Sequence, residues 1–132
     1  VNRVLKIYGV LACWNYGLPH IDPEIDECVT DFCTNFLNSS WDSKRRKLEL
    51  NFRTLEFPLR ESVTPRFEIN TEWSLEHFMG FLGSMSATRK WRQQKLEDPL
   101  LNIEEKLIAL WGGVEKTRSV VFPLVMKMGV LT

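Results

Sequence analysis

The hydrophobic pattern begins with an uninterrupted apolar run at residues 10–14, directly after Gly9. A run that is apolar on both sides is typical of a strand covered on both faces of a parallel sheet. Residues 1–6 predict the last turns of a helix, with the cationic Arg3 and Lys6 near its C-terminus. The start of the sequence therefore predicts a helix that leads into a doubly buried strand.

A helical pattern follows between residues 22 and 38. Asp22 is a suitable N-cap, Pro23 occupies the first helical position, and acidic residues follow in the first turn. The apolar stripe of this helix consists of Ile25, Cys28, Val29, Phe32 and Phe36. We expect the helix to end near residues 38–40, and residues 43–58 to form a short polar helix followed by an irregular stretch.

Strict alternation of apolar and polar residues at 66–73 predicts a strand with one buried face. Ser74 is expected to cap the next helix, which Gly83 should break, and residues 84–94 predict a further short helix. Asp98 and Pro99 begin the last predicted helix, and glycines 112 and 113 should terminate it.

The last apolar run, residues 119–127, predicts a strand in which Pro123 marks a bulge or a position without a ladder hydrogen bond. The chain thus predicts three strands and about four helices, which is an α/β class. A strand that is apolar on both faces needs a neighbour on each side, and the remaining strands can supply only one of them.

Composition narrows the functional classes. The 132 residues are 44% hydrophobic and 26% charged, as in a globular domain, and 17 basic residues balance 17 acidic ones. This balance gives no reason to expect nucleic acid or a membrane surface as a partner, and no apolar stretch approaches the roughly 20 residues of a membrane span. Three cysteines without a CxxC motif predict reduced thiols in a cytoplasmic protein, and no Cys/His spacing predicts a metal site.

Several short motifs carry a resemblance to a known family. Residues 1–17 resemble the helix, turn and fifth strand of class I S-adenosylmethionine-dependent methyltransferases, with "LKIYG" where that family has "LKPGG". "FRTLEFPL", "SMSAT", "WGG" and "VVFPLVMKMGVL" follow in an order similar to the methyltransferase type 11 family and its trans-aconitate methyltransferase-like relatives.

The resemblance implies the C-terminal half of a Rossmann-like sheet, whose strands five, six and seven are ordered five-seven-six with inserted helices. Residues 10–14, 66–73 and 119–127 are then strands five, six and seven, and residues 1–132 form a single partial domain. The resemblance also implies S-adenosylmethionine as the cofactor and a small-molecule methyl acceptor, with a carboxylate as one candidate. The chain contains no G-x-G loop, so we expect the cofactor to be bound mainly by the absent N-terminal half.

Candidate acceptor-binding residues follow from the rule that ligands bind beyond the carboxyl ends of parallel strands. The rule places Trp14, Asn15 and Tyr16 at the rim of a crevice, although Trp14 could instead belong to the core and Tyr16 could pack on the following loop. His20 is a candidate base or hydrogen-bond donor, with a simple loop residue as the alternative. No catalytic residue can be named.

Two further pairs of candidate residues come from the middle of the chain. Arg53, together with Arg60, could hold a carboxylate, whereas the alternative for each is a surface ion pair with a neighbouring glutamate. Ser84 and Ser86 resemble the small polar pair that the family carries near its substrate lid. The basic run at residues 44–47 is flanked by acidic residues, which favours a solvated helix face over nucleic-acid contact.

Two hypotheses remain open at this point. The chain is the substrate-facing half of a methyltransferase, not competent alone, or it is a non-catalytic interaction or small-ligand-binding module with the same half of the fold. The substrate-facing half of a methyltransferase, on its own, would leave strand 10–14 with an open backbone edge and an uncovered apolar face. A self-sufficient module would cover that strand with residues 43–62 or by dimerising. The absence of charged residues from the strand favours the first hypothesis.

Overall fold

A computed structural model describes residues 1, 3–43 and 52–132. The described residues form three strands, β1 (Val10–Tyr16), β2 (Phe67–Trp73) and β3 (Arg118–Val130). They also form four α-helices: α1 (Pro23–Asp31), α2 (Leu75–Ser84), α3 (Ser86–Lys95) and α4 (Glu104–Trp111). A π turn at Phe32–Phe36 extends α1, and 3-10 turns occupy Asn38–Ser40, Phe52–Thr54 and Pro99–Asn102. None of the described helices is both long and apolar enough to cross a membrane.

The sheet has the order β1-β3-β2, and β3 is antiparallel to both neighbours. The first half of β3 pairs with β2 and the second half pairs with β1, so that only Leu124 lies opposite a residue of each. Val121 exchanges backbone hydrogen bonds of 2.8 and 3.0 Å with His20. Alternate residues of a strand direct their backbone nitrogens to the same edge, so the nitrogen of Pro123 faces the same edge of β3 as that of Val121. At this edge β1 pairs with β3 only as far as Leu124 and does not reach Pro123. Pro123 therefore occupies a position without a ladder hydrogen bond, and the register of β3 is continuous through it.

Two of the three N-caps that the sequence predicts are confirmed, at Asp22 and Ser74, and the third residue, Asp98, caps a different element. Asp22 Oδ1 accepts a hydrogen bond of 2.9 Å from the backbone nitrogen of Ile25, and Ser74 Oγ accepts one of 3.2 Å from His77. Asp98 Oδ1 accepts a bond of 3.2 Å from the nitrogen of Leu100, but it caps a 3-10 turn rather than α4 itself. Each cap satisfies a backbone donor that the first turn would otherwise leave without a partner.

The predicted end of α2 is wrong by a short distance. The helix continues through Gly83 and ends at Ser84. Side chains of α3 satisfy the carbonyl groups of its last turn, because Thr88 Oγ1 donates to the oxygen of Leu82 at 2.7 Å and Arg92 Nη1 donates to that of Gly83 at 3.1 Å. A glycine is tolerated inside the helix when the following turn is held in this way.

The described residues among 1–6 form one turn before β1, closed by hydrogen bonds from the nitrogens of Val4 and Leu5 to the oxygen of Val1. The bond from Leu5 has the four-residue spacing of an α-helical turn, and the end of a longer helix at this position stays a prediction. The polar helix expected after residue 43 falls mostly on residues 44–51, which lie outside the described residues, as does the basic run 44–47.

The core lies between the helices and the first half of β3. Trp111 of α4 is fully buried and stacks on Phe78 of α2, with ring centroids 5.5 Å apart. Its indole nitrogen donates to the oxygen of Lys116 at 2.7 Å, so that its polar atom is satisfied. The other large buried side chains include Ile25, Phe32, Leu37, Leu82, Ile103, Leu107 and Val120. Burial of each such side chain contributes roughly 1.5–3 kcal/mol, which makes this helical layer the main source of stability.

β1 is less covered than its apolar sequence predicts. Val10, Trp14 and Tyr16 share one face of the strand and are 56%, 62% and 48% exposed. Within the described residues, β1 pairs with β3 along one edge only. The expectation of a strand buried on both faces is therefore wrong for the described part of the chain, because the core helices cover the other end of the sheet.

Candidate binding cleft

A cleft of about 790 Å³ opens where β1 ends and the chain turns towards α1. Clefts of roughly 300–1,000 Å³ are typical of sites for small organic ligands. The cleft is lined by Asn15, Gly17, Leu18, His20, Cys33, Thr34, Trp41, Phe52, Arg53, Pro123 and Val125. It lies at the carboxyl end of β1, as the sequence analysis expects for a ligand site.

The sheet supplies the floor of the cleft. Asn15 lies opposite Val125 in the register of β1 and β3, and Pro123 shares their face. Trp14 and Tyr16 flank Asn15 in sequence, so their side chains are directed to the opposite face. Tyr16 there makes an edge contact with Phe122, with centroids 5.4 Å apart. Of the three predicted rim residues, only Asn15 lines the cleft.

His20 is fixed beside the cleft through its backbone and its ring. Its backbone pairs with Val121 of β3. Its Nδ1 lies 3.4 Å from Oδ2 of Asp26, and Oδ1 of the same carboxylate accepts a 2.8 Å bond from the nitrogen of Ile21. Asp26 belongs to the first turn of α1, so the helix start orients the loop that carries His20.

The π turn after α1 shapes one wall. The nitrogen of Leu37 donates to the oxygen of Phe32 at 2.9 Å, which is the five-residue spacing of a π turn. Trp41 Nε1 donates to the oxygen of Cys33 at 2.7 Å, and this bond holds the indole along the cleft. Cys33 and the neighbouring Thr34 both line the cavity. The wider turn thus joins two segments that meet at the cleft.

Arg53 forms part of the opposite wall, together with Phe52, in the 3-10 turn Phe52–Thr54. Its side chain is exposed, and among the described residues no carboxylate lies within ion-pair distance of its guanidinium. Glu61 instead pairs with Lys127 at 3.0 Å. The alternative of a surface ion pair between Arg53 and a glutamate therefore does not occur in the described part of the chain. Arg60 does not line the cleft.

The two serines lie elsewhere. Ser86 begins α3 and is half-buried, and Ser84 Oγ donates to the oxygen of Phe81 at 2.7 Å. Neither lines the cleft. Of the eight residues that the sequence analysis names as candidates, the structure brings together Asn15, His20 and Arg53. Other residues that line the cleft include Leu18, Thr34, Trp41 and Phe52, none of which was a sequence candidate. Of these four, only Phe52 lies in a motif quoted above, "FRTLEFPL".

The described part of the cleft offers no group of side chains for metal binding. Among the described residues, no three His, Cys, Asp or Glu side chains are grouped so that they could hold a metal ion. Outside the cleft, burial raises the pKa of the Cys28 thiol above its usual 9.0; the charge of Lys106 opposes this effect and that of Asp31 adds to it. A thiol with a raised pKa stays protonated at neutral pH and is a poor nucleophile.

Comparisons with known proteins give one informative result. No family model and no curated protein matches the chain. The chain is similar to a solved structure, that of a "Putative Type II Methyltransferase from Anaeromyxobacter dehalogenans", with a TM-score of 0.87 and 35% sequence identity. The match covers 97% of this chain and 55% of that chain. The chain therefore spans little more than half the length of the protein that it resembles.

Proposed function

We propose that the chain is the acceptor-facing part of an S-adenosylmethionine-dependent methyltransferase that acts on a small molecule. The observation that carries this proposal is the likeness to a methyltransferase over 97% of the chain, at 35% identity. An identity of this size over nearly the whole chain supports a shared reaction type as well as a shared fold. The proposal also agrees with the order of the motifs in the sequence.

On this proposal, β1, β2 and β3 are strands five, six and seven of a Rossmann-like sheet in the order five-seven-six. The observed order, with β3 antiparallel between the other two, supports the assignment. Residues 1–132 then belong to a larger domain, since the similar protein is almost twice as long. The exposed apolar side chains of Val10, Trp14 and Tyr16 would be covered by the rest of that domain. Among the described residues, β1 pairs with β3 along one edge only, so the rest of the domain could also pair with its other edge.

S-adenosylmethionine would be bound mainly by residues beyond these 132, because this chain lacks a glycine-rich phosphate- or cofactor-binding loop. Methyl transfer is an in-line displacement, and the protein contributes by aligning the two substrates and excluding water. Such a displacement requires no covalent intermediate on the protein. The reduced thiols fit an enzyme of the cytoplasm.

The cleft supports an acceptor with a carboxylate and an apolar body. The guanidinium of Arg53 is available for a charge-assisted bond, the amide of Asn15 adds a donor, and Trp41 and Phe52 provide apolar walls. In the proposed step a carboxylate oxygen attacks the sulfonium methyl group, forming a methyl ester and releasing S-adenosylhomocysteine. No proton has to leave the acceptor, so His20 serves as a hydrogen-bond donor rather than a base.

The experiment that tests this function measures transfer of labelled methyl groups by the full reading frame that contains these residues. Acceptors are supplied as matched pairs of a carboxylic acid and its amide, such as benzoate and benzamide or trans-aconitate and its amides. Acids should be methylated and amides should not. We expect Arg53→Gln to raise the KM for acids by about tenfold or more, as the loss of a charged hydrogen bond predicts.

Arg60→Gln is the matched control, because Arg60 lies in the same segment but outside the cleft. It should leave the KM unchanged. Equal methylation of acids and amides, or an Arg53→Gln variant that behaves like the wild type, would remove the carboxylate from the proposal. An absence of both methyl transfer and cofactor binding would support the non-catalytic module instead.

A further inference from the structure

A lysine lies on the sheet face that forms the cleft floor. Lys127 of β3 is opposite Cys13 in the register and two residues from Val125, which lines the cleft. Its side chain is only 8% exposed. Lysine is rarely buried unless its ammonium is paired, because removal of an unpaired charge from water is costly. The partners of this ammonium therefore indicate what the residue does.

Both described partners of Lys127 belong to the segment that carries Arg53. The ammonium donates to the backbone oxygen of Leu55 at 2.7 Å and to Oε1 of Glu61 at 3.0 Å. Leu55 directly follows the 3-10 turn Phe52–Thr54, and Arg53 lies two residues before it. Lys127 thus connects the floor of the cleft to the wall that bears the candidate carboxylate-binding group.

Further attachments of the segment lie towards its C-terminal end. The nitrogen of Ser62 donates to the oxygen of Met128 at 2.8 Å, and Thr64 Oγ1 donates to that of Met126 at 3.2 Å. These bonds fix residues 61–64 along β3 but lie eight or more residues from Arg53. The bond from Lys127 to Leu55 is placed to fix the part of the segment nearest the cleft.

We propose that Lys127 is a positioning residue, which holds Leu55 and Glu61 against β3 and thereby fixes the orientation of Arg53 towards the acceptor. This inference rests on the proposed function, in which Arg53 binds the acceptor carboxylate. Lys127 itself does not touch the acceptor, and its effect passes through Arg53.

The test is a double-mutant cycle in the full reading frame, with Lys127→Met and Arg53→Gln. Calorimetric affinities are measured for two carboxylate probes, benzoate and trans-aconitate, and for S-adenosylmethionine. We expect Lys127→Met to weaken binding of the carboxylate probe about tenfold in the wild-type background and to have no further effect beside Arg53→Gln. Affinity for S-adenosylmethionine should be unchanged. Lys90→Met, at an exposed position on α3, is the control and should have no effect.

Hydrogen exchange of the amides of residues 53–60 provides a second measurement that needs no ligand. Lys127→Met should accelerate their exchange about tenfold, and Lys127→Arg, which keeps a charged donor, should restore part of the protection. Additive effects in the cycle, or unchanged exchange in Lys127→Met, would overturn the positioning role. If neither acid binds the wild-type protein, the carboxylate proposal fails separately, and hydrogen exchange alone decides whether Lys127 holds this segment.

Discussion

At the residue scale, the carboxylate of Asp22 joins two distant parts of the chain. One oxygen caps α1 through the nitrogen of Ile25, and the other accepts a 2.9 Å bond from Arg118 of β3. Arg118 also donates to the oxygens of Trp111 and Leu110 at the end of α4. Asp22 and Arg118 therefore provide hydrogen-bond partners for a backbone nitrogen at the start of α1 and for two backbone oxygens at the end of α4.

Asp22→Ala should lower the free energy of unfolding by about 2–3 kcal/mol, because it removes both the cap and a partly buried charged hydrogen bond. Asp22→Asn keeps a capping oxygen and should cost about half as much. Urea unfolding followed by fluorescence measures both variants. Equal losses for the two variants would show that the cap contributes nothing, and an unchanged Asp22→Ala would contradict the role of this residue altogether.

The candidate residues show why the site could be predicted only in part. The rule on strand ends points to the carboxyl end of β1, where the cleft lies, yet it could not distinguish Asn15 from its two neighbours. That distinction depends on which face of β1 the cleft occupies, and the strand is apolar on both. Thr34 and Trp41 join the site because a π turn changes the direction of the chain after α1. No spacing in the sequence predicts that turn.

At the element scale, the elements with strong local signals are those that the sequence predicts well. The helices α1 and α2 begin at their expected caps because such caps act within four residues, whereas Asp98 caps the 3-10 turn that precedes α4. The helix boundaries that were predicted wrongly depend on contacts with other elements. At Gly83, for example, the side chain of Arg92 in α3 donates a hydrogen bond to the backbone oxygen of the glycine, and α2 continues through it. The path of residues 52–64 was also unpredictable, since it is set by bonds to β3 rather than by its own periodicity.

Gly129 allows this segment to approach β3 closely. A Cβ atom at this position would lie 2.7 Å from the oxygen of Arg60 and 2.9 Å from Cβ of Leu59. Gly129→Ala should therefore displace the segment and lower the free energy of unfolding by roughly 1–3 kcal/mol. Differential scanning calorimetry measures the change.

The matched control is Gly80→Ala, at an exposed position in α2 where a Cβ would have no neighbour within 4 Å. Alanine there should raise stability by about 0.5–1 kcal/mol, because glycine is unfavourable inside a helix. A Gly129→Ala variant as stable as the wild type would show that the segment does not pack on β3 as described.

At the scale of the whole molecule, the sheet is covered by helices at one end and exposed at the other. The core helices pack on β2 and the first half of β3, whereas Trp14 of β1 is 62% exposed. The described part of residues 43–62 does not cover this side chain. The uncovered face agrees with the proposal that further residues of a longer protein pack on β1.

Substitution of Trp14 separates the two hypotheses. In the 132-residue chain, Trp14→Ser should change the free energy of unfolding by less than about 0.5 kcal/mol, as for other exposed positions. In the full reading frame the same change should cost about 3 kcal/mol, because the indole would be buried there. Val63→Ser, at a side chain that is 98% exposed, serves as the control in both proteins. Equal effects of Trp14→Ser in the two proteins would contradict a covered β1.

The most direct measurement is calorimetric titration of S-adenosylmethionine into the full reading frame and into the 132-residue chain. We predict that the longer protein binds the cofactor with one site and that the shorter chain does not, because residues outside this chain hold most of it. Absence of binding to the longer protein, together with a cooperative thermal transition of the 132-residue chain alone, would contradict the methyltransferase proposal and support a non-catalytic module.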